Sequence, residues 1–489
     1  MSTRSPGQGT DEREDPVETA APEPARPGSV RPVSAQPVPG LPPLHPRFDD
    51  VREIAVLRGG GLGDLLFALP AVEALAAAYP DARVTLLGSP VHRALLAGRP
   101  SGVDDVDVLP VVPGVGDASG TEVDDAATEE FLARHRARGY DLAVQVHGGG
   151  RNSNPFLFRL GARHTIGTRT SDAIPLERTI PYVYYQHEVL RALEVVALAG
   201  AASTGRPVLT PTPAELERGA ALVGGGRGGA VDGEAGDGEA VGDGRPVVAI
   251  HPGASDPRRR WSADRFGLLA ARLAHHGVRV VVVGEGDDVA LADRIREVAR
   301  EHEPRRASLV SSLAGQLDLS DLVGVLASVD AFVGNDSGPR HVAEAVGTAT
   351  SAVFWFGNVV NAGALGRTSH RVAMAFSTAC PVCGVDITQV GWTAERCDHD
   401  ASVVDGVGLD EVWENTRDVL GGVLARRGER VERDLDERDG DGDGDGGDGD
   451  GDGDDVRDAV DEGSDLAPVA ETAARPGGTQ VDSSYGLRS

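Results

Sequence analysis

Lysine is missing altogether: the 47 residues counted as lysine or arginine are all arginine. Any task usually given to lysine, such as a charge beside a phosphate, therefore falls to a planar guanidinium. Cysteine is nearly as scarce, and three in 489 residues cannot build a disulfide framework. No apolar run reaches the roughly 18 residues that a membrane-spanning helix needs. Peripheral contact with a membrane surface stays open. Residues 1–30 lack the apolar stretch of a secretory signal, so a cytoplasmic location is expected.

Basic residues are also outnumbered, giving a net charge of −29. Much of this lies near the C-terminus. Residues 434–465 hold 16 acidic and 2 basic residues, a net of −14. What remains is only moderately acidic, which argues against a basic face for nucleic acid. Residues 1–48 are rich in Pro, Glu, Ser and Arg, and residues 426–489 in Asp and Gly. Such composition buries too little apolar surface to offset chain entropy, so both ends are expected to be disordered. A third biased stretch, 223–245, is Gly-rich and acidic and reads as a flexible loop. The folded part then divides into domains over 51–222 and 246–425, each of comfortable domain size.

Both parts alternate strands with helices. In the first, strands are expected over 52–57, 83–87, 106–112 and 142–146, with helices over 65–79, 91–97 and 124–138. In the second, strands fall over 247–250, 279–283, 331–333 and 351–356, with helices over 264–275, 287–301, 319–328 and 339–346. The strands are apolar on both faces, as in a parallel sheet covered on both sides. A last amphipathic helix covers 409–425 and is expected to pack back on the first domain. The fold class is α/β, with two Rossmann-like domains facing each other across a cleft.

Two turns stand at equivalent places in the two halves. Arg58-Gly-Gly-Gly-Leu-Gly-Asp64 follows the first strand, and Gly334-Asn-Asp-Ser-Gly-Pro-Arg-His341 follows Val329–Val333. Each joins a strand's carboxyl end to a helix, the place where open α/β sheets bind ligands. The glycines before Asp64 lack the spacing of a dinucleotide fingerprint, which disfavours a dehydrogenase. Asp64 could simply cap its helix, yet Gly61 and Gly63 aim the turn at the crevice. In the second turn, the N–H groups of Ser337 and Gly338 and the helix dipole suit a diphosphate. Asp336 and His341 flank them. His251-Pro-Gly-Ala-Ser255, followed by Arg258, Arg259, Arg260 and Trp261, also suits a phosphate-bearing ligand.

These segments together resemble glycosyltransferase family 9, the heptosyltransferase group. The resemblance rests on Arg58–Asp64, on Ala68-Leu-Pro70 through Tyr79-Pro-Asp-Ala82, on His251–Phe266, and on Asp336–Ala345. It implies a GT-B fold and an inverting transfer of a heptose-like sugar. The donor would be a nucleotide-diphosphate sugar and the acceptor a hydroxyl of a cell-surface glycan or glycolipid. Asp64 would be the general base. Ser255, Arg259, Asp336, Ser337, Gly338 and His341 would hold the donor. Arg259 stands where the family carries lysine, a departure that bears on donor identity. No cofactor or catalytic metal is implied, since helix dipole and cations stabilise the leaving diphosphate. A nucleotide-sugar epimerase and a non-catalytic nucleotide-sugar-binding protein of the same fold are the alternatives. The first needs further acid/base carboxylates in the cleft, and the second predicts loss of the base. Cys380, Cys383, Cys397 and His399 leave three readings open: a structural metal, a redox pair or inert thiols.

Overall fold

The computed structural model describes residues 45–116, 123–203, 205–224, 244–388 and 395–427. The expected disorder of residues 1–44 and 428–489, and most of the acidic loop, lie outside these residues. Residues 45–48, read above as part of the N-terminal tail, belong to the fold. His45 donates its N–H to the Ala197 carbonyl at 3.0 Å, and Phe48 is buried and stacks on His164.

The first half comprises β1 (Glu53–Leu57), α1 (Leu62–Ala78), β2 (Arg83–Gly88), α2 (Pro90–Leu96), β3 (Asp105–Val108), α3 (Asp125–Arg138), β4 (Leu142–Gln145), α4 (Ser153–Phe158), β5 (His164–Arg169), β6 (Arg178–Pro181) and α5 (Glu188–Ala197). Helix α6 (Pro213–Gly224) leads to the second half. That half comprises β7 (Val247–His251), α7 (Ala263–His275), β8 (Arg279–Val282), α8 (Val289–His302), β9 (Val310–Ser312), α9 (Leu319–Ser328), β10 (Ala331–Asn335), α10 (Gly338–Ala345), β11 (Ala349–Trp355), α11 (Phe356–Ala362), β12 (His370–Ala375) and α12 (Leu409–Arg427).

Each half carries a six-stranded sheet, ordered β3-β2-β1-β4-β5-β6 and β12-β11-β10-β7-β8-β9. All strand pairs within them are parallel. Counted from its own first strand, each sheet has the doubly wound order 3-2-1-4-5-6, so the two halves repeat one topology. Central strands such as β7 (Val-Val-Ala-Ile-His) are buried along their whole length. Their β-branched residues suit a two-sided buried strand. The order reverses between β1 and β4, and again between β7 and β10. The loops that leave these four strands therefore open at the switch point of their sheet, where ligands bind in such folds.

One apolar core runs through both halves, joining α1 and α5 to α9, α10 and the inner face of the second sheet. Helix α6 packs on α9, where Gly219 and Gly324 bring the two backbones close together. The last helix differs from expectation. It covers α12 as predicted but packs on β11, β12 and α7 of the second half. Its Val412, Trp413, Val419 and Leu420 complete that half's outer core.

Candidate active site between the two halves

The β1–α1 turn is braced from three sides. Arg58, at the end of β1, is buried and spans the turn: Nη2 donates to Asp64 Oδ1 at 2.5 Å and Nε to the Asp64 carbonyl at 3.0 Å. Its Nη1 donates to the Val146 carbonyl at 2.6 Å and lies 3.4 Å from Glu188 Oε2. His92 takes the Ser89 N–H on Nδ1 and presents Nε2–H to the Gly61 carbonyl at 2.9 Å. His147 accepts the Gly59 N–H on Nδ1 at 3.2 Å. Gly60 sits at φ +96°, and a Cβ there would collide with the Asp64 carboxylate.

Asp64 does cap α1: the Gly61 N–H donates to its Oδ2 at 2.9 Å. Its side chain nevertheless keeps 14% of its surface exposed. Burial and the Arg58 charge push His147 down to about 4, so it is neutral near pH 7.

Across the cleft, the Asp336 carboxylate is only 3% exposed and fully engaged. Arg259 Nη1 donates to Oδ2 at 2.9 Å, Asn358 Nδ2 to the same oxygen at 2.5 Å, and His341 Nε2 faces Oδ1 at 3.4 Å. Burial alone would raise its pKa; the His341 contact and the Arg259 charge prevail and hold it well below the usual carboxylate range. Arg340 Nη1 donates to His341 Nδ1 at 2.9 Å, which places the imidazole proton on Nε2. Burial, with Arg340 beside it, keeps His341 below its ordinary pKa.

The other second-half residues converge on the same place. Ser337 is the N-cap of α10, and its hydroxyl meets His251 Nδ1 at 3.0 Å while His251 Nε2 faces Asp288 at 3.3 Å. Pro339 at the second helical position removes one N–H from that helix end. Ser255 is exposed, and its hydroxyl accepts from Arg259 Nη2 at 2.9 Å. Arg258 instead pairs with Asp256, and Arg260 donates to the Ala254 carbonyl.

The two turns meet. A Cβ on Gly63 would stand 2.9 Å from His341 Cδ2, Leu62 covers Gly338, and Phe67 packs edge-on against His341 with centroids 4.7 Å apart. Behind this contact, a crevice lined by Leu66, Phe67, His187, His341, Glu344 and Gly363 has room for about one water, ≈ 10 Å³. Three hydrogen bonds span the halves beside it: His187 Nε2 to the Gly363 carbonyl (2.7 Å), Asn361 Nδ2 to the Tyr184 carbonyl (2.8 Å) and Tyr185 Oη to the Thr388 carbonyl (2.6 Å).

The nine residues assigned from the sequence to the base, its turn and the donor (Gly61, Gly63, Asp64, Ser255, Arg259, Asp336, Ser337, Gly338 and His341) lie on the two turns and the arginine loop beside them. Their supports are new. Arg58 orders the first turn. Asn335 takes the Trp261 N–H on Oδ1 at 3.0 Å and donates to the Pro252 carbonyl at 2.7 Å, fixing the arginine loop to β10. Asn358 holds Asp336. Arg58 and Asn335 stand within the two turns quoted from the sequence; Asn358 lies outside both and had no local signal.

Two doubly wound halves with apposed turns at their switch points define the class: a GT-B protein. The sequence profile of glycosyltransferase family 9 (heptosyltransferase) matches residues 131–380, about half the chain, and the chain belongs to that family. The matched stretch contains Ser255 through His341 but not Asp64. Lipooligosaccharide heptosyltransferase 2 of Haemophilus ducreyi is 34% identical over 114 residues, 23% of this chain and 32% of that protein. Lipopolysaccharide heptosyltransferase 2 of Escherichia coli is 31% identical over 111 residues, 22% and 31% of the two chains. The aligned stretch thus spans about a third of these relatives. Over the whole fold, the structure of E. coli ADP-heptose lipopolysaccharide heptosyltransferase II superposes with a TM-score of 0.55 at 17% identity, covering 77% of this chain and 99% of that one. The glycosyltransferase family 9 protein of Veillonella parvula gives 0.57 at 16% identity, covering 76% and 97%. Among the described residues no helix is long and apolar enough to cross a membrane.

Proposed function

We propose that the protein is an inverting glycosyltransferase of the cytoplasm that moves a heptose-like sugar from a nucleotide-diphosphate donor to a hydroxyl of a cell-surface glycan or glycolipid. The observation that carries this reading is the meeting of a partly open carboxylate, Asp64, with a cation-lined helix N-terminus at one junction of the two halves. Family membership and the names of the relatives supply the sugar class.

In the proposed step, Asp64 takes the proton of the acceptor hydroxyl. The oxygen forms a bond to the anomeric carbon from the face opposite the diphosphate, and the bond from that carbon to the phosphate oxygen breaks with its electron pair. Arg259 and the first turn of α10 meet the charge that develops on the departing diphosphate. Asp336 acts through Arg259 and His341, which it holds in place. Glu188 is the other carboxylate behind the first turn. Its ties to Arg58 and Arg191 favour transfer over epimerisation, which needs more than one free acid/base group.

Asp64→Asn tests the assignment. Removing a general base is expected to slow transfer by about 10²- to 10⁴-fold while donor affinity, read by calorimetry, stays within a few-fold. Normal transfer by the variant would reject Asp64 as the base. A thermal-shift screen against ADP-, GDP-, UDP- and dTDP-sugars identifies the donor through the stabilisation that selective binding confers.

A further inference from the structure

The chain from Thr378 to Thr388 folds back on itself beside the cleft. Ala379 bridges Asp386, the Cys380 N–H donates to the Val385 carbonyl at 2.8 Å, and the Gly384 N–H returns to the Cys380 carbonyl at 2.9 Å. Gly384 closes the turn at φ +73°, a conformation that glycine adopts without strain. This tight knuckle turns Cys380 and Cys383 toward one another, and the segment from 395 brings in Cys397 and His399. One ligand atom from each of the four residues lies within 4.8 Å of all the others.

We infer that Cys380, Cys383, Cys397 and His399 bind a single zinc ion in a closed tetrahedral site. Zinc–sulfur bonds of about 2.3 Å place tetrahedral ligand atoms roughly 3.8 Å apart, so a small contraction of the cluster completes the site. His399 Nδ1 is buried without a hydrogen-bond partner, and a metal bond would satisfy it. None of the three cysteines is in a disulfide. Three thiolates and one imidazole form a full set of four protein ligands, with no position for water or substrate. Such a set defines a structural site rather than a catalytic one, and its soft donors select zinc over magnesium or calcium.

The position explains what the ion would do. Among the described residues, no helix or strand lies between β12 and α12, and the 395–407 segment props up the arginine loop. The Val403 N–H donates to the Arg258 carbonyl at 2.8 Å, Ser402 Oγ to the Arg260 carbonyl at 2.8 Å, and Arg396 lies 4.0 Å from Asp256. Thr388, on the other arm, accepts the Tyr185 hydroxyl from the first half. A zinc ion would tie these two arms together and so fix the loop that presents Arg259.

The test is metal analysis of the full chain, purified without chelator. The expected result is one zinc per chain and three thiols protected from alkylation. Cobalt(II) exchanged into the site is expected to give the visible bands of a tetrahedral ion with thiolate charge-transfer absorption. Cys383→Ser removes an exposed ligand and should reduce zinc content at least tenfold in washed protein. If that variant does not fold, the zinc content and cobalt spectrum of the unsubstituted chain decide. Metal-free protein with three reactive thiols, a Cys380–Cys383 disulfide found by mass, or stoichiometric iron in place of zinc would each overturn the assignment. None of these readouts depends on transferase activity, so failure here leaves the reading of the cleft untouched.

Discussion

The turns that end β1 and β10 share a topology and differ in how their carboxylates are used. Asp64 has one cation, one backbone N–H and a surface left open. Asp336 is sealed in and shared by a guanidinium, an amide and an imidazole. Equivalent places in a repeated fold therefore carry one carboxylate whose side chain is still partly exposed and one that is enclosed by its partners. The difference arises from neighbours, because Arg58 has Glu188 as a second partner while Arg259 relies on Asp336 and a serine hydroxyl.

The largest expected effect tests that contrast through stability. Asp336→Ala strips a buried charge network and should cost about 3–5 kcal/mol. Asp64→Ala leaves Arg58 with Glu188 and should cost about 1–3 kcal/mol. Urea denaturation of both variants measures the gap, and equal losses would erase the distinction.

A second contrast concerns acid. His147 has a folded pKa of about 4, below its unfolded value, so the unfolded chain binds the extra proton first. Its share of stability is complete above about pH 6.5 and is lost as pH falls toward 4, at most about 3 kcal/mol. His147→Gln should flatten the stability profile across that window. A profile unchanged by the substitution would refute the account.

Arg259→Ala should weaken donor binding by about 10- to 100-fold through a lost charge-assisted contact, read by calorimetry. Unchanged affinity would remove its phosphate role. Gly63→Ala adds a methyl against His341 and should destabilise the closed arrangement by about 1 kcal/mol. Small-angle scattering that shows the same compactness as the unsubstituted protein would argue against that wedge.

Much of this was legible in the sequence where the chain is buried on both sides. Strands β1, β2, β4, β7, β8, β10 and β11 stand as apolar runs and fall near their expected places. Strands β5, β6, β9 and β12 are absent from the expected set: His-Thr-Ile-Gly-Thr-Arg, Arg-Thr-Ile-Pro and His-Arg-Val-Ala-Met-Ala break the apolar run with polar residues, β9 is only Val-Ser-Ser, and β6, β9 and β12 are edge strands. Strand β3 came out shorter than 106–112 and ends at Val108, before Pro110. In the site, motif residues were readable from local spacing. The partners that restrain them come from distant segments, as with Asn335 and Trp261 or Asn358 and Asp336, and no local pattern encodes such pairs.

The approach of Gly63 to His341 bears on fidelity. In the proposed transfer, an activated sugar that reacts with water in place of its acceptor would be wasted, and the crevice behind that contact has space for about one solvent molecule. A chain with this seam loosened should therefore divert more of each turnover to free sugar. The ratio of hydrolysed to transferred sugar would then report how well the seam closes, even where the overall rate is unchanged.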